Sequence, residues 1–206
     1  MSKEKGRLFV VSAPSGAGKT TLVNAIVEQL DSVRLSVSHT TRPRRENEVD
    51  GRHYHFVSRD QFQDLVEKGA FLEHANVFGN YYGTSREAVQ SLLDQGYNVI
   101  LEIDWQGAQQ VRQRMPGCRS IFILPPSGPE LERRLRGRGT DSDEVIARRL
   151  AESRSDISHW TEFDYVIVND RLDDALEELA QVIAGQGDAS RGNRPGLREF
   201  ADSLQG

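Results

Sequence analysis

Ala13-Pro14-Ser15-Gly16-Ala17-Gly18-Lys19-Thr20 stands between the apolar run Leu8-Phe9-Val10-Val11 and a segment, 22–27, whose apolar residues have a helical period. The order is strand, glycine-bearing loop and helix, and Gly-Lys-Thr lies at the corner where the helix begins. This is the pattern of a P-loop, in which backbone N–H groups and a helix N-terminus surround the phosphates of a nucleotide. Ala13 replaces the first glycine of the strict motif and is small enough to keep the turn tight. The pattern predicts that the chain binds a nucleoside triphosphate.

The composition limits the classes of protein to which this loop could belong. The chain has 206 residues, a formal net charge of −5 and one cysteine, Cys118. Its length allows one α/β core with an insertion or two small domains, and its acidic balance argues against a partner that is a nucleic acid. A single cysteine fits a reducing compartment. Because no stretch approaches the ~20 apolar residues of a membrane span and the N-terminus lacks an apolar signal core, we expect a cytoplasmic protein with no membrane partner.

Strand and helix patterns alternate along the chain. This alternation predicts an α/β fold, with a P-loop parallel sheet flanked by helices on both faces. Short strands crowd the region 38–96, which we interpret as a small mixed α+β insertion on a core made of 6–37 and 97–185. The segment 186–206 begins with a mixture of glycine, serine, arginine and asparagine, and this composition predicts a flexible C-terminal tail.

The P-loop alone does not select among GTPases, ATPases and small-molecule kinases. Asp104-Trp105-Gln106-Gly107 matches the D-x-x-G pattern of a GTPase switch. A GTPase would also need an N-K-x-D element to read its base, and Val168-Asn169-Asp170-Arg171 is not one. The sequence therefore disfavours a GTPase.

A polar segment of the predicted insertion gives the second signal of chemistry. Ser38-His39-Thr40-Thr41-Arg42-Pro43-Arg44-Arg45 contains three arginines and several hydroxyl groups, and Gly79-Asn80-Tyr81-Tyr82-Gly83-Thr84 follows further along the chain. Arginine forks and tyrosine hydroxyls are the donors that a second, mobile phosphate would need. For any one of these residues, a place in a solvated charged loop is the better interpretation. For the whole set, that interpretation is much weaker than a binding site for a second phosphate.

Six motifs in order resemble the guanylate kinase family of ATP:GMP phosphotransferases. They are Ser-Ala-Pro-Ser-Gly-Ala-Gly-Lys-Thr at 12–20, Ser-His-Thr-Thr-Arg-Pro at 38–43, Gly-Asn-Tyr-Tyr-Gly-Thr at 79–84, Glu-Ile-Asp-Trp-Gln-Gly at 102–107, Arg-Leu-Arg-Gly-Arg-Gly-Thr at 134–140 and Val-Ile-Val-Asn-Asp at 166–170. The resemblance covers 6–185. It implies an enzyme that transfers the γ-phosphoryl group of ATP to GMP, with Mg²⁺ as cofactor and with ATP and GMP as its partners.

The predicted ATP site follows from the P-loop. Lys19 can reach the β and γ phosphates, and the Thr20 hydroxyl is the metal ligand that P-loops place on Mg²⁺. The resemblance adds a helical lid, about 134–150, whose arginines Arg134, Arg138 and Arg149 are assigned to catalysis together with Lys19. The predicted ATP-binding residues are Ala13, Pro14, Ser15, Gly16, Ala17, Gly18, Lys19, Thr20, Thr21 and Asn169.

The predicted GMP site has a phosphate part and a base part. Guanine presents two adjacent donors, N1–H and the 2-amino group, and one acceptor at O6, so that the carboxylate of Glu73 and two nearby hydroxyls match it. Asp104 resembles the family's acidic residue near the guanine and the waters of the metal. The resemblance assigns Arg42, Arg45, Tyr54 and Tyr82 to the phosphate of GMP, Arg42 also to catalysis, and Ser38, Glu73, Thr84 and Asp104 to the remainder of the GMP site.

Two alternatives to this function remain open at this point. One is a kinase for another nucleoside monophosphate. The other is a non-catalytic interaction module with a guanylate-kinase-like fold, and such modules tend to lack a working P-loop and lid. The presence of Lys19, Thr20, Arg134 and Arg138 favours the enzyme. The sequence also leaves open whether the chain forms a homo-oligomer.

Overall fold

A computed structural model describes residues 5–77, 79–137 and 142–205. Its elements in chain order are β1 (Leu8–Ser12), α1 (Lys19–Gln29), β2 (Val33–Leu35), β3 (His39–Thr40), β4 (His55–Phe56), α2 (Arg59–Glu67), β5 (Phe71–Val77), β6 (Asn80–Ser85), α3 (Arg86–Asp94), β7 (Asn98–Glu102), α4 (Trp105–Arg114), β8 (Arg119–Leu124), α5 (Gly128–Arg136), α6 (Asp143–Ile157), a 3₁₀ helix (Ser158–Glu162), β9 (Tyr165–Val168), α7 (Leu172–Ala184), a second 3₁₀ helix (Gly187–Ser190) and α8 (Leu197–Ser203).

The core is a five-stranded parallel sheet in the order β2-β7-β1-β8-β9. Successive side chains of its strands enter two different clusters: Val10 and Leu101 pack with α3, α4 and α5 on one face, whereas Val11 and Ile100 pack with α1 and α7 on the other. Burial on both faces explains why these strands are continuously apolar rather than alternating. The predicted α/β fold with a parallel sheet between helices is confirmed.

A second, four-stranded sheet in the order β4-β3-β6-β5 lies within the region 38–96. It is mixed, since β5 and β6 form an antiparallel hairpin, β3 pairs antiparallel with β6, and β4 pairs parallel with β3. The residues Glu73 on β5 and Thr84 on β6 are directly opposite each other in this register. The pairing therefore brings two of the predicted base-binding residues together.

The segment after Gly185 differs from the flexible tail predicted for 186–206. Arg191 forms an antiparallel bridge with Tyr165 at the open edge of β9. Leu197 and Ala201 of α8 and its C-cap residue Leu204 are buried in the larger core cluster. These three residues share one helical face because their spacing is four and three. The composition of the first half of the segment obscured this short apolar pattern in the second half. In the part of the chain that the structure describes, no helix is long and apolar enough to cross a membrane.

Candidate active site

The P-loop connects the carboxyl end of β1 to the first turn of α1. Gly18 precedes the helix with φ of 90°, a left-handed conformation that favours glycine. A Cβ atom at this position would lie 2.4 Å from the side-chain nitrogen of Asn169. That amide donates to the carbonyl oxygen of Ala17 at 2.8 Å. This hydrogen bond of Asn169 stabilises the conformation of the loop. Asn169 is near the loop because it directly follows β9, whose carboxyl end lies at the same edge of the parallel sheet as that of β1.

Lys19 and Thr20 both contact the end of β7. The ammonium group of Lys19 donates to the carbonyl oxygen of Ile103 at 3.2 Å, and the Thr20 hydroxyl donates to the carboxylate of Glu102. Glu102 was not among the predicted site residues. Its sequence signal was weak, namely an acidic residue at the end of an apolar strand, and only the parallel pairing of Val11 with Glu102 brings it beside the P-loop.

Arg134 lies against the backbone of the P-loop region. Its guanidinium donates to the carbonyl oxygen of Asn169 at 3.0 Å, and its Nε donates to the carboxylate of Glu130 at 2.7 Å. Hydrogen bonds from Arg133 and Arg134 lower the pKa of Glu130 to about 2, so this carboxylate stays charged at neutral pH and keeps Arg134 oriented. Arg134 also borders a recess of about 360 Å³ beside Gly16, Gly18, Thr21 and Asn169.

Of the other two predicted lid arginines, only Arg149 is among the described residues. Arg149 is half-buried on α6, and α6 contacts the P-loop through the Ser153 hydroxyl, which donates to the carbonyl oxygen of Ser15 at 3.1 Å. Arg138 lies outside the described residues.

A second recess of about 230 Å³ joins the P-loop to the mixed sheet. Residues from both parts of the chain border it, and they are Lys19, Ser38, Tyr54, Glu73, Ala75, Val77, Tyr82, Glu102, Ile103 and Asp104. Five of the eight residues predicted for the GMP site line this recess, and Thr84 bonds directly to Glu73, which is one of them. The side chain of Arg45 is exposed and does not line it.

Glu73 is a buried carboxyl group, with 3% of the residue exposed. The hydroxyl of Thr84 donates to its Oε1 at 2.5 Å. Burial raises the pKa of Glu73 to about 7, and the nearby charge of Asp104 acts in the same direction, while the hydrogen bond from Thr84 and the charge of Arg114 oppose the shift. Such a group is an acceptor that can gain or lose a proton near neutral pH.

Glycine at position 107 allows α4 to approach this carboxyl group. A Cβ atom on Gly107 would lie 2.8 Å from Oε2 of Glu73. Asp104 is the N-cap of α4, and its Oδ1 accepts a hydrogen bond from the backbone of Gly107 at 2.7 Å. The cap therefore fixes both the start of the helix and the position of a second carboxylate near Glu73.

The predicted phosphate-binding arginine Arg42 forms an ion pair with Glu48, with 2.6 Å between Nη2 and Oε1. The other carboxylate oxygen of Glu48 accepts from the backbone of Arg45 at 2.8 Å. These bonds lower the pKa of Glu48 to about 2. The rings of Tyr54 and Tyr82 lie 5.9 Å apart beside this pair. Glu48 was not predicted, although an acidic residue shortly after an arginine-rich run is a signal that could have suggested it.

This set of groups suits reactions between two phosphorylated ligands. Lys19 of the P-loop borders the same recess as Glu73, whose carboxyl group can accept hydrogen bonds from a base. Arg42 lies near Tyr54 of this recess and is paired with the carboxylate of Glu48. A phosphate could replace the Glu48 carboxylate on Arg42, because guanidinium binds both anions in the same bidentate way. Among the described residues, no group of three or more histidine, cysteine, aspartate or glutamate side chains is arranged to hold a metal ion by itself.

Comparison with known proteins gives concordant matches. A family model described as guanylate kinase matches residues 5–186. The guanylate kinase of Alkalilimnicola ehrlichii is 61% identical over 201 residues, which are 98% of this chain and 99% of the relative. That of Escherichia coli (strain K12) is 57% identical over 184 residues, which are 88% of this chain and 89% of the relative. A crystal structure of guanylate kinase from Anaplasma phagocytophilum superimposes with a TM-score of 0.74 and 35% identity, covering 98% of this chain and 96% of that one.

Proposed function

The chain belongs to the guanylate kinase family, and from this premise we propose how its residues share the reaction. The protein is an enzyme that transfers the γ-phosphoryl group of ATP to GMP, giving ADP and GDP. The observation that best supports our assignment of residues is the recess bordered by both Lys19 of the P-loop and Glu73 of the mixed sheet. In this arrangement Lys19 binds the phosphates of the donor and Glu73 binds the base of the acceptor, so that both substrates meet in one site.

ATP occupies the P-loop in this proposal. The backbone of residues 13–21 surrounds its phosphates, Lys19 neutralises charge on the β and γ phosphates, and Asn169 holds the loop. Phosphoryl transfer requires mainly positioning and charge neutralisation, so the lid arginines act as further cations on the transferred group. Arg134 starts from a position against the P-loop region, and Arg149 and Arg138 are assigned the same role from the resemblance.

Thr20 and Glu102 would hold Mg²⁺. Their contact places a hydroxyl and a carboxylate oxygen side by side at the P-loop, and Mg²⁺ prefers oxygen ligands of which the protein supplies one or two beside the phosphates. When bound, the ion neutralises charge on the β and γ phosphates. Asp104, two residues further along the chain, is assigned to the waters around the ion and to the edge of the guanine.

GMP occupies the recess in the region 38–96, which we assign as the GMP-binding insertion. Ionised Glu73 accepts from N1–H and the 2-amino group, Ser38 and Thr84 supply hydroxyls around the base, and Arg42, Arg45, Tyr54 and Tyr82 bind the phosphate. Binding of that phosphate displaces Glu48 from Arg42. An oxygen of the GMP phosphate is already ionised and attacks without a general base. We place the enzyme in the cytoplasm because its substrates are free nucleotides and its sequence contains one cysteine.

A coupled assay of ADP release with GMP, AMP, CMP and dTMP in turn tests this assignment. We expect turnover with GMP and a loss of several orders of magnitude with AMP, because adenine lacks the 2-amino donor and leaves Glu73 unmatched. Comparable turnover with AMP would contradict the role of Glu73 in selecting the base. Absence of turnover with every acceptor would contradict the catalytic assignment as a whole.

A further inference from the structure

The packed C-terminal segment encloses a pocket that the phosphoryl-transfer reaction does not use. It measures about 500 Å³ and is bordered chiefly by Trp160, Asp164, Arg191, Asn193, Arg194 and Arg198. This volume lies within the range of ~300–1,000 Å³ that is typical of small-molecule sites. The match to the guanylate kinase family ends at residue 186, so all three arginines lie outside the part of the chain that defines the family.

The pocket lies at the other end of the parallel sheet from the P-loop. Asp164 immediately precedes β9, and it accepts hydrogen bonds at 2.8 Å from both the backbone and the hydroxyl of Ser120, at the start of β8. The P-loop follows the carboxyl end of β1. Since β8 has six residues, the two sites are separated by about 20 Å of strand. A ligand in this pocket could not contact either substrate.

The arginines of the pocket are fixed to the protein but carry little compensating charge. Arg194 donates to the carbonyl oxygen of Val166 at 2.7 Å, and the guanidinium of Arg198 lies 5.9 Å from the ring of Trp160. Neither has a carboxylate within 4.0 Å among the described residues. Burial lowers the pKa of Arg194, and the charge of Glu178, which lies beyond ion-pair distance, opposes this shift without reversing it.

The remaining charges of the pocket do not cancel this excess. Arg191 reaches Asp188 only at 3.5 Å, and that aspartate is largely exposed, so the pair is weak. The carboxylate of Asp164 is already shared by two donors from Ser120. Three guanidinium groups therefore face one occupied carboxylate in a chain whose overall charge is −5.

We propose that this pocket binds a small molecule that carries a phosphate group. Guanidinium forks match phosphate oxygens in pairs, and a half-buried guanidinium such as that of Arg194, which has carbonyl partners but no carboxylate partner among the described residues, gains from such an anion. The volume exceeds what a lone phosphate fills, so the ligand has either a chain of phosphates or an attached organic body. Arg198 contributes charge and directional donors, while Arg194 contributes charge and holds the segment on β9.

The test is a site-resolved NMR titration of the full chain at low ionic strength with two probes, tripolyphosphate and GDP. We expect saturable shifts of the backbone amides of Gly192 and Asn193 and of the indole N–H of Trp160. The Arg198→Gln variant should raise the dissociation constant at these signals roughly tenfold, since it removes one charge-assisted contact. The dissociation constant read from the amide of Gly18 in the P-loop should stay the same.

Arg34→Gln is the matched control. Arg34 also lies over an aromatic ring, 4.2 Å from the centre of Tyr97, but on the opposite edge strand β2, and its replacement should leave the pocket signals unchanged. If Arg198→Gln loosens the tail, seen as shifts throughout α8 without probe, Arg198→Lys replaces it, because lysine keeps the charge and the aliphatic stem beside Trp160 and loses the fork. A smaller dissociation constant for GDP than for tripolyphosphate identifies a nucleotide body as part of the ligand, and equal values identify the phosphate chain alone.

Three results would overturn the proposal. One is the absence of saturable shifts in the pocket with either probe. Another is an unchanged dissociation constant in Arg198→Gln, or in Arg198→Lys where it is used. The third is an equal weakening by Arg34→Gln, which would show that the shifts follow the overall charge of the protein and not this pocket.

Discussion

Replacing Glu73 with glutamine tests the proposed base recognition while conserving shape and volume. Glutamine keeps one oxygen that can accept from Thr84, so the contact of β5 with β6 is preserved. It also substitutes an N–H donor for one of the two acceptors that guanine requires. The change is thus confined to one donor–acceptor pair and one charge.

The expected magnitude follows from that single exchange. Losing one hydrogen bond to a charged acceptor costs about 1.5–3 kcal/mol, and leaving a buried donor opposite another donor costs about 1–3 kcal/mol. Together these predict a loss of about 2.5–6 kcal/mol of transition-state stabilisation, which is a fall in kcat/KM for GMP of roughly 10²–10⁴. The assay belongs at pH 8, where a carboxyl group with a pKa of about 7 is mostly ionised in the wild type.

Two measurements separate this effect from general damage. The dissociation constant of a non-hydrolysable ATP analogue should hardly change, because the P-loop does not include Glu73. Glu67→Gln is the matched control: Glu67 is an exposed glutamate at the end of α2 in the same region, and its replacement should leave kcat/KM intact. An unaffected kcat/KM for GMP in Glu73→Gln, or an equal loss of both nucleotides, would refute the assignment of Glu73 to the base.

Three further predictions follow from the same geometry. Because the pKa of Glu73 is raised from 4.5 to about 7 by burial, the folded unliganded protein holds a proton that the unfolded chain has released. The contribution of Glu73 to the free energy of unfolding should therefore fall as the pH rises from about 5 to about 7. In urea denaturation at several pH values, the free energy of unfolding of Glu73→Gln should decrease less over this range than that of the wild type. Lys19→Met should reduce kcat by about 10²–10³ with an unchanged circular dichroism spectrum. Lys68→Met, which replaces an exposed lysine paired with Asp64, is the control and should retain activity. Near-normal turnover of Lys19→Met would contradict the role of the P-loop lysine. Leu204→Ala should lower the free energy of unfolding by about 2–4 kcal/mol, since Leu204 is buried in the core, and a change within error would show that the tail does not pack on the domain.

The core and the P-loop could be predicted because their signals are local. The apolar run at 99–103 and the glycines before Lys19 determine a buried strand and a phosphate-binding turn without help from distant residues. The proposed base-reading role of Glu73 has a different origin, namely that the donor pattern of guanine is matched by one carboxylate and a few hydroxyls. The position of Glu73 opposite Thr84 then follows from the hairpin of β5 and β6.

The residues that sequence reasoning missed are defined by contacts between distant parts of the chain. Glu102 contacts Thr20 across 82 positions, and only the parallel register of β1 and β7 makes them neighbours. The polar first half of the tail predicts a flexible segment with only a weak helix at its end, and local patterns do not reveal that this helix packs on the core. Glu48 lies only six residues from Arg42, but its pairing depends on the turn that folds 42–48 back on itself.

The two proposed nucleotide sites meet at three consecutive residues, 102–104, at the end of β7. The carboxylate of Glu102 contacts Thr20 of the P-loop, the carbonyl of Ile103 accepts from Lys19, and Asp104 caps α4 beside Glu73. Glu102 and Asp104 are two residues apart and would share one face of a continuous strand, but β7 ends at Glu102 and Asp104 is already the N-cap of α4. This change of direction allows Glu102 to serve the proposed metal side and Asp104 the proposed base side, while the carbonyl oxygen of Ile103 between them orients Lys19. We therefore propose that the end of this central strand sets the distance between donor and acceptor, a distance that phosphoryl transfer requires to be held closely.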